Sequence, residues 1–239
     1  LDDIAYDYAA VGLVLGNIGN VYASVTSLNS GEIDVRTVEQ PLGTGERYTV
    51  SNLAFGVGYG RQISESFSLG VQVQYIRETI WHSSLSAFGL NVGTIYRISE
   101  NGLHIGASVS NFGTRAKYDG RDLRIQYDQD PRKYGDNGSL PAELFTDDFP
   151  LPIMFRVGVG LPLTFGEDHK LHVVVDAYHP SDNTESISFG AEYTFLDIFS
   201  LRGGYQNLFL QDSEVGLTLG AGVQYRMTSY AVSFDYAWA

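Results

Sequence analysis

Five histidines are the first candidates for chemistry: His82, His104, His169, His172 and His179. A neutral imidazole ligates transition metals and titrates near neutral pH. His169 and His172, however, stand three apart in an alternating stretch, so they point to opposite faces of a strand and poorly suit one metal. His82-Ser83-Ser84 supplies the letters of a Ser–His hydrolase, which would also need an orienting group, but neighbouring positions diverge and no supporting motif accompanies them. Asp128, Asp130, Asp136 and Asn137 offer oxygen ligands for Ca²⁺ without the spacing of an EF-hand loop, and read as a solvated acidic loop. Gly56, Gly58 and Gly60 lie inside a strand pattern and precede no helix; they leave room on one face or bend the wall rather than cradle a phosphate. The chain has no cysteine, which removes thiol chemistry and disulfides. No catalytic, cofactor-binding or metal-ligating residue is assigned, and the chain is not expected to be an enzyme.

The elements that must position these residues are strands. From Leu53 to Tyr75, Leu53, Phe55, Val57 and Tyr59 alternate with Ala54, Gly56, Gly58 and Gly60. After Ile63-Ser64-Glu65-Ser66, the residues Phe67, Leu69, Val71, Val73 and Tyr75 alternate with Ser68, Gly70, Gln72 and Gln74. Period-two alternation gives each strand one apolar face and one face of glycines, hydroxyls and amides. The hairpin recurs down the chain, through Phe88–Tyr96, Leu103–Val109, Ile153–Phe165, Leu171–Ala177, Ile187–Phe195, Leu201–Tyr205, Val215–Tyr225 and Tyr230–Trp238. With Val11–Leu15 and the less regular Val21–Val38, bulged near Ser30-Gly31, about twelve antiparallel strands are expected. The charged strand residues Arg61, Arg156, Asp176, Glu192, Arg202, Arg226 and Asp235 are assigned to the non-apolar face.

The apolar face needs a solvent. A soluble sheet covers its wet face with Lys and Glu, yet lysine occurs only at Lys117, Lys133 and Lys170. Connections near Asn17, Ser64, Asn101, Glu167, Asp197 and Thr228 are short. Those near Gly43, His82, Asp130, Ser181 and Gln211 are mostly long or charged. Aromatic residues gather toward both rims, Tyr59, Phe165 and Tyr193 at one, Tyr8, Tyr48, Trp81 and Trp238 at the other. Short turns at one rim, long loops at the other and two aromatic belts are the signature of an outer-membrane barrel. Lipid cannot satisfy backbone amides, so a sheet spans a membrane only when closed. Val71, Val157 and Leu219 are then expected to meet lipid. The formal net charge of −13 argues against a nucleic-acid partner.

Residues 114–150 form the one long interruption. They mix both charge signs with aromatic side chains, and Leu123 to Tyr127 reads as a strand extending beyond the main sheet. A loop of this length is usually functional. Tyr118, Arg121, Tyr127, Arg132, Tyr134 and Phe145 are its candidate partner-binding residues, since Tyr and Arg supply interface anchors.

Several phrases together resemble the PorV/PorQ family, barrels related in fold to the FadL fatty-acid transporters. They include Gly43-Thr44-Gly45, Val92-Gly93-Thr94-Ile95-Tyr96, Ser110-Asn111-Phe112-Gly113, Phe149-Pro150-Leu151-Pro152 and Leu201-Arg202-Gly203-Gly204-Tyr205. Asn91 stands where the family pattern has Asp, and the family's N-terminal plug segment and final Phe-ended strand have no counterpart. The resemblance implies residues 1–239 as a single all-β, antiparallel transmembrane β-barrel domain, with about twelve strands of a FadL-like barrel of about fourteen. The first and last strands are expected to be missing. It implies residence in the outer membrane of a Gram-negative bacterium. The implied role is to bind secreted cargo or cell-surface proteins in type IX secretion, with no cofactor. The alternative is a FadL-like channel for hydrophobic or small solutes.

Overall fold

The computed structural model describes residues 4–99, 102–128, 130, 132, 139–210, 216–226 and 231–238. In chain order the strands are β1 (Ala5–Val14), β2 (Asn20–Asn29), the short β3 (Ile33–Asp34) and β4 (Arg47–Tyr48), β5 (Val50–Gln62), β6 (Phe67–Ile80), β7 (Ser83–Arg97) and β8 (His104–Gly113). Then come the short β9 (Asp119–Gly120), β10 (Arg124–Tyr127) and β11 (Leu140–Glu143). Last are β12 (Met154–Phe165), β13 (His169–Pro180), β14 (Ser186–Phe195), β15 (Phe199–Leu208), β16 (Leu217–Arg226) and β17 (Ala231–Trp238). The main sheet runs β1-β2-β5-β6-β7-β8-β12-β13-β14-β15-β16-β17, with β9 added beside β7. Neighbours in this order are consecutive long strands, and the ladders among them are antiparallel. The described residues hold twelve long strands; all but the eight-residue β17 have ten or more residues and are long enough to cross a bilayer when tilted.

Local differences from the sequence reading have physical reasons. The strand expected over Val21–Val38 ends at Asn29, whose side-chain Oδ1 accepts from Gly31 N–H at 2.8 Å, and Gly31 turns with φ of 69°. Beyond it β3 and β4 form a separate small ladder held by Arg47 on Glu32 at 2.6 Å. The connection at His82 is only Trp81-His82, because Trp81 takes φ of 53° and lets β6 reverse directly into β7. Leu123 to Tyr127 yields β10, which pairs with β11 in a two-stranded sheet apart from the main one. The turn expected at Thr228-Ser229 and the strand start at Val215 lie outside the described residues.

The register sorts side chains as the alternation requires. Val157 opposes Ala177, and Leu219 opposes Gly203 and Trp238. These belong to a face on which large apolar side chains stay exposed, Leu201 by 63% and Leu219 by 52%. Among the described residues the buried apolar side chains are only Leu85, Ala87, Ala116 and Leu151. A soluble sandwich would bury its apolar strand faces against each other; here, among the described residues, that face has no protein cover.

The chain divides into two compact units. The first is Leu1–Tyr59, Gln72–Leu90 and Phe112–Leu151; the second is Gly60–Val71, Asn91–Asn111 and Pro152–Ala239. The divisions at Tyr59/Gly60, Val71/Gln72 and Leu90/Asn91 fall inside β5, β6 and β7, where the sequence carries no linker. In the first unit, β1 lies along β2 from Ala5↔Asn29 to Val14↔Asn20. That register puts Tyr8 opposite Thr26, on the face of Tyr22 and Ser24, so Tyr8 faces away from the apolar side.

Candidate functional site

The polar face of the second unit is built on β12 to β17. Glu192 and Arg202 oppose each other on β14 and β15, and the guanidinium Nε donates to Glu192 Oε2. Its Nη1 donates to Asp235 Oδ1 on β17, a strand further than its immediate neighbour. Gly220 and Gly222 on the intervening β16 make this reach possible. A Cβ on Gly222 would fall on Asp235 Oδ1 and lie 3.3 Å from Arg202 Nη1, and a Cβ on Gly220 would lie 3.6 Å from Arg202 Cβ. Gly158 likewise houses the Asp176 carboxylate, so the glycine stripes are the space into which cross-strand charges fold. His172, Asp176, Glu192, Arg202 and Asp235 line a cavity of about 500 Å³. Arg202 and its two partners keep 36–46% side-chain exposure, so water screens the network.

The other assigned arginines behave differently. Arg156 opposes Tyr178, and its guanidinium lies 5.4 Å from the centre of that ring, so its described neighbour is an aromatic face. Arg226 ends β16 with the parity of Gly220 and Gly222. Arg61 is corrected: it alternates with Gly58, whose missing Cβ makes room for the Tyr22 ring on the polar side, so Arg61 shares the apolar face one residue from the end of β5. At a strand end its long stem lets the charge reach water.

In the first unit, part of the polar face on β6 and β7 is covered. Gln72 and Gln74 of β6 lie over Gly56 and Gly89, and Ile76 and Glu78 follow with the same parity. On Ile76, Leu85 and Ala87 sit Ala116 and Tyr118 from the long segment and Leu151 just past its end. The segment is stitched together around them. Ala116 and Phe149 exchange backbone hydrogen bonds at 2.8 and 2.9 Å, Thr146 Oγ1 donates to Tyr118 O at 2.8 Å, and Arg115 Nε donates to Asp148 Oδ2 at 2.7 Å. The Tyr118 hydroxyl donates to Glu78, and burial together with that carboxylate pushes its pKa up to about 12. At the β6–β7 turn, His82 Nδ1 meets Asp122 Oδ1 at 2.9 Å, and Arg121 Nη2 donates to His82 Nε2 at 2.6 Å. Burial pushes the Asp122 carboxyl up, but the hydrogen bonds from His82 and the Arg121 charge outweigh it and hold the group below its ordinary value. Glu46, Arg47, Trp81, His82, Arg121 and Asp122 line a cavity of about 470 Å³ there.

These contacts divide the candidate partner-binding residues. Tyr118 and Arg121 are engaged within the chain. Tyr127 and Phe145 are presented outward at 50% and 81% exposure, with Lys117 Nζ 4.8 Å from the Phe145 ring. Arg132 is exposed, and its N–H donates to Asp130 Oδ1 at 3.3 Å; Tyr134 lies outside the described residues. The anchor residues that sequence reasoning missed are Glu78, Leu85, Ala87 and Ala116. Glu78 and Leu85 read as ordinary strand positions, and nothing in the sequence says that a segment distant along the chain covers them.

An antiparallel sheet of this length, with one uncovered apolar face and one hydrated charged face, has the build of a membrane-spanning β-barrel. In structure the chain is similar to the Pseudomonas putida toluene transporter TodX, with a TM-score of 0.51 and 11% sequence identity, over 96% of this chain and 81% of that one. It is also similar to the CymD monoaromatic hydrocarbon channel, with a TM-score of 0.49 and 12% identity, over 98% and 82% of the respective chains. No protein-family model and no curated protein matches the sequence. At this identity the likeness to the toluene transporter is one of fold.

Proposed function

We propose that this chain is an outer-membrane channel of a Gram-negative bacterium that admits small hydrophobic molecules, and that it is not an enzyme. The observation that carries this reading is the apolar patch of Ile76, Leu85 and Ala87 on an otherwise polar strand face, closed over by Ala116, Tyr118 and Leu151. Apolar side chains on the polar strand face are where a hydrophobic solute would leave water, and here the long segment packs over them. The fold likeness to a toluene transporter suggests the substrate class. The test is uptake of a labelled monoaromatic hydrocarbon by whole cells, with and without the protein in their outer membrane. Uptake that rises with the protein, and falls when Leu85 becomes Asp in chains that still assemble, supports the proposal; equal uptake in both strains refutes it.

A second reading is favoured by the exposed Leu140, Leu144 and Phe145 with Tyr127: binding of a cell-surface or secretion protein, whose finer form is the type IX role implied by the sequence resemblance. Neither similar structure is described as a secretion component. Deleting Arg121 to Ser139 separates the two. Loss of co-purifying partners with uptake intact favours the second reading, and loss of uptake with partners unchanged favours the first.

A further inference from the structure

On the polar face of the second unit, His104 of β8 and His172 of β13 flank Gly160 of β12. Their ring centres are 5.6 Å apart. A Cβ placed on Gly160 would lie 2.5 Å from His104 Nε2 and 3.0 Å from His172 Nε2, so both nitrogens converge on the space that this glycine leaves. The tautomer of His104 is fixed. Its Nδ1 lies 2.9 Å from Gly102 O, and a carbonyl only accepts, so Nδ1 carries the proton and Nε2 presents its lone pair. His172 Nε2 is shut off from solvent and has no hydrogen-bond partner among the described residues. A buried nitrogen left in this state is costly unless something bridges it.

We infer that His104 and His172 form a two-imidazole site for a borderline divalent transition-metal ion of the Zn²⁺, Ni²⁺ or Cu²⁺ class. Imidazole is the ligand these ions prefer, and a backbone carbonyl behind Nδ1 is the outer contact that orients a metal-binding histidine. The surroundings add negative charge: Glu192 stands opposite His172 in the ladder, although Arg202 engages it, and Asp176 follows on the same face of β13. Among the described residues no three His, Cys, Asp or Glu side chains converge, so water completes the coordination. The sequence hides the pair, because spacing inspects only neighbours along one strand. Spacing along β13 sets His172 against His169, which the register places on the opposite face beside Phe195, while the true neighbour of His172 comes from β8.

The test uses the detergent-folded chain and the metal alone, Zn²⁺ by calorimetry and Cu²⁺ by electron paramagnetic resonance. The site predicts one ion per chain and a signal from two nitrogen ligands. His104→Ala and His172→Ala should each weaken binding by more than the roughly 10–100-fold that loss of an outer partner costs. Gly160→Val, which fills the space and keeps both histidines, should do the same, while His82→Ala, His169→Ala and His179→Ala leave binding unchanged. Folding of each variant is verified by its heat-dependent gel mobility, and if Gly160→Val fails to fold, the two histidine variants decide. Binding that survives both His104→Ala and His172→Ala, or no binding at millimolar metal, overturns the inference.

Discussion

The two units put opposite things on the same kind of surface. In the first, the polar strand face holds an apolar patch roofed by Ala116, Tyr118 and Leu151. In the second, it holds Asp176, Glu192, Arg202 and Asp235 around a cavity of about 500 Å³. Strand alternation sets the two faces everywhere, but it does not decide what covers the polar one. Cover depends on a segment long enough to fold back, and the described covering contacts lie in the first unit.

The contrast can be broken by putting the same charge on each surface. Leu85 is 6% exposed under the covering segment, so Leu85→Asp should cost on the order of 3 kcal/mol, while Ser233→Asp on the exposed polar face should cost less than about 0.5 kcal/mol. Thermal unfolding in detergent and proteolysis within residues 119–148 read the difference. Next in size is Gly222→Val, whose side chain would take the space of the Asp235 carboxylate. Overpacking there should cost about 1–3 kcal/mol and detach Asp235 from Arg202, visible as a lowered melting temperature.

Tyr118 sharpens the comparison through pH. Its folded pKa of about 12 lies above the ordinary phenol value of 10.0, so the contact with Glu78 contributes fully below pH 10 and is lost as pH rises through about 12. Proteolysis of the segment should quicken across that window. Tyr118→Phe should remove the extra sensitivity and cost about 1 kcal/mol. The smallest effect belongs to Arg202→Gln. An ion network this exposed contributes about 0.2–1 kcal/mol, and the loss should shrink further in high salt.

Much of the fold was legible because it rests on a short-range rule. Alternation through Phe55-Gly56-Val57-Gly58 and Phe189-Gly190-Ala191-Glu192 names strand and face without any partner in view. Of the two readings of these glycines, room or a bend, Gly56 and Gly58 supply room, Gly56 for Gln72 and Gly58 for the Tyr22 ring. The site was less legible because it consists of long-range coincidences. Arg202 reaches Asp235 across β16 only because Gly220 and Gly222 stand there, and Tyr118 meets Glu78 only because the segment folds back. Arg61 was misassigned for a simpler reason: near a strand end its charge excludes neither face, and parity with Gly58 decides it.

The central claim is that the apolar strand face meets lipid and the other meets water. The chain contains no cysteine, so single cysteines carrying spin labels can be introduced one at a time along β12 and β13. In reconstituted bilayers, labels at Val157, Val159 and Val175 should be accessible to oxygen in the lipid. Those at Gly158, Val174 and Asp176 should be accessible to a water-soluble nickel chelate, and the two signals should alternate with period two. Absence of that alternation, or water accessibility at Val157 and Val175, would contradict the account.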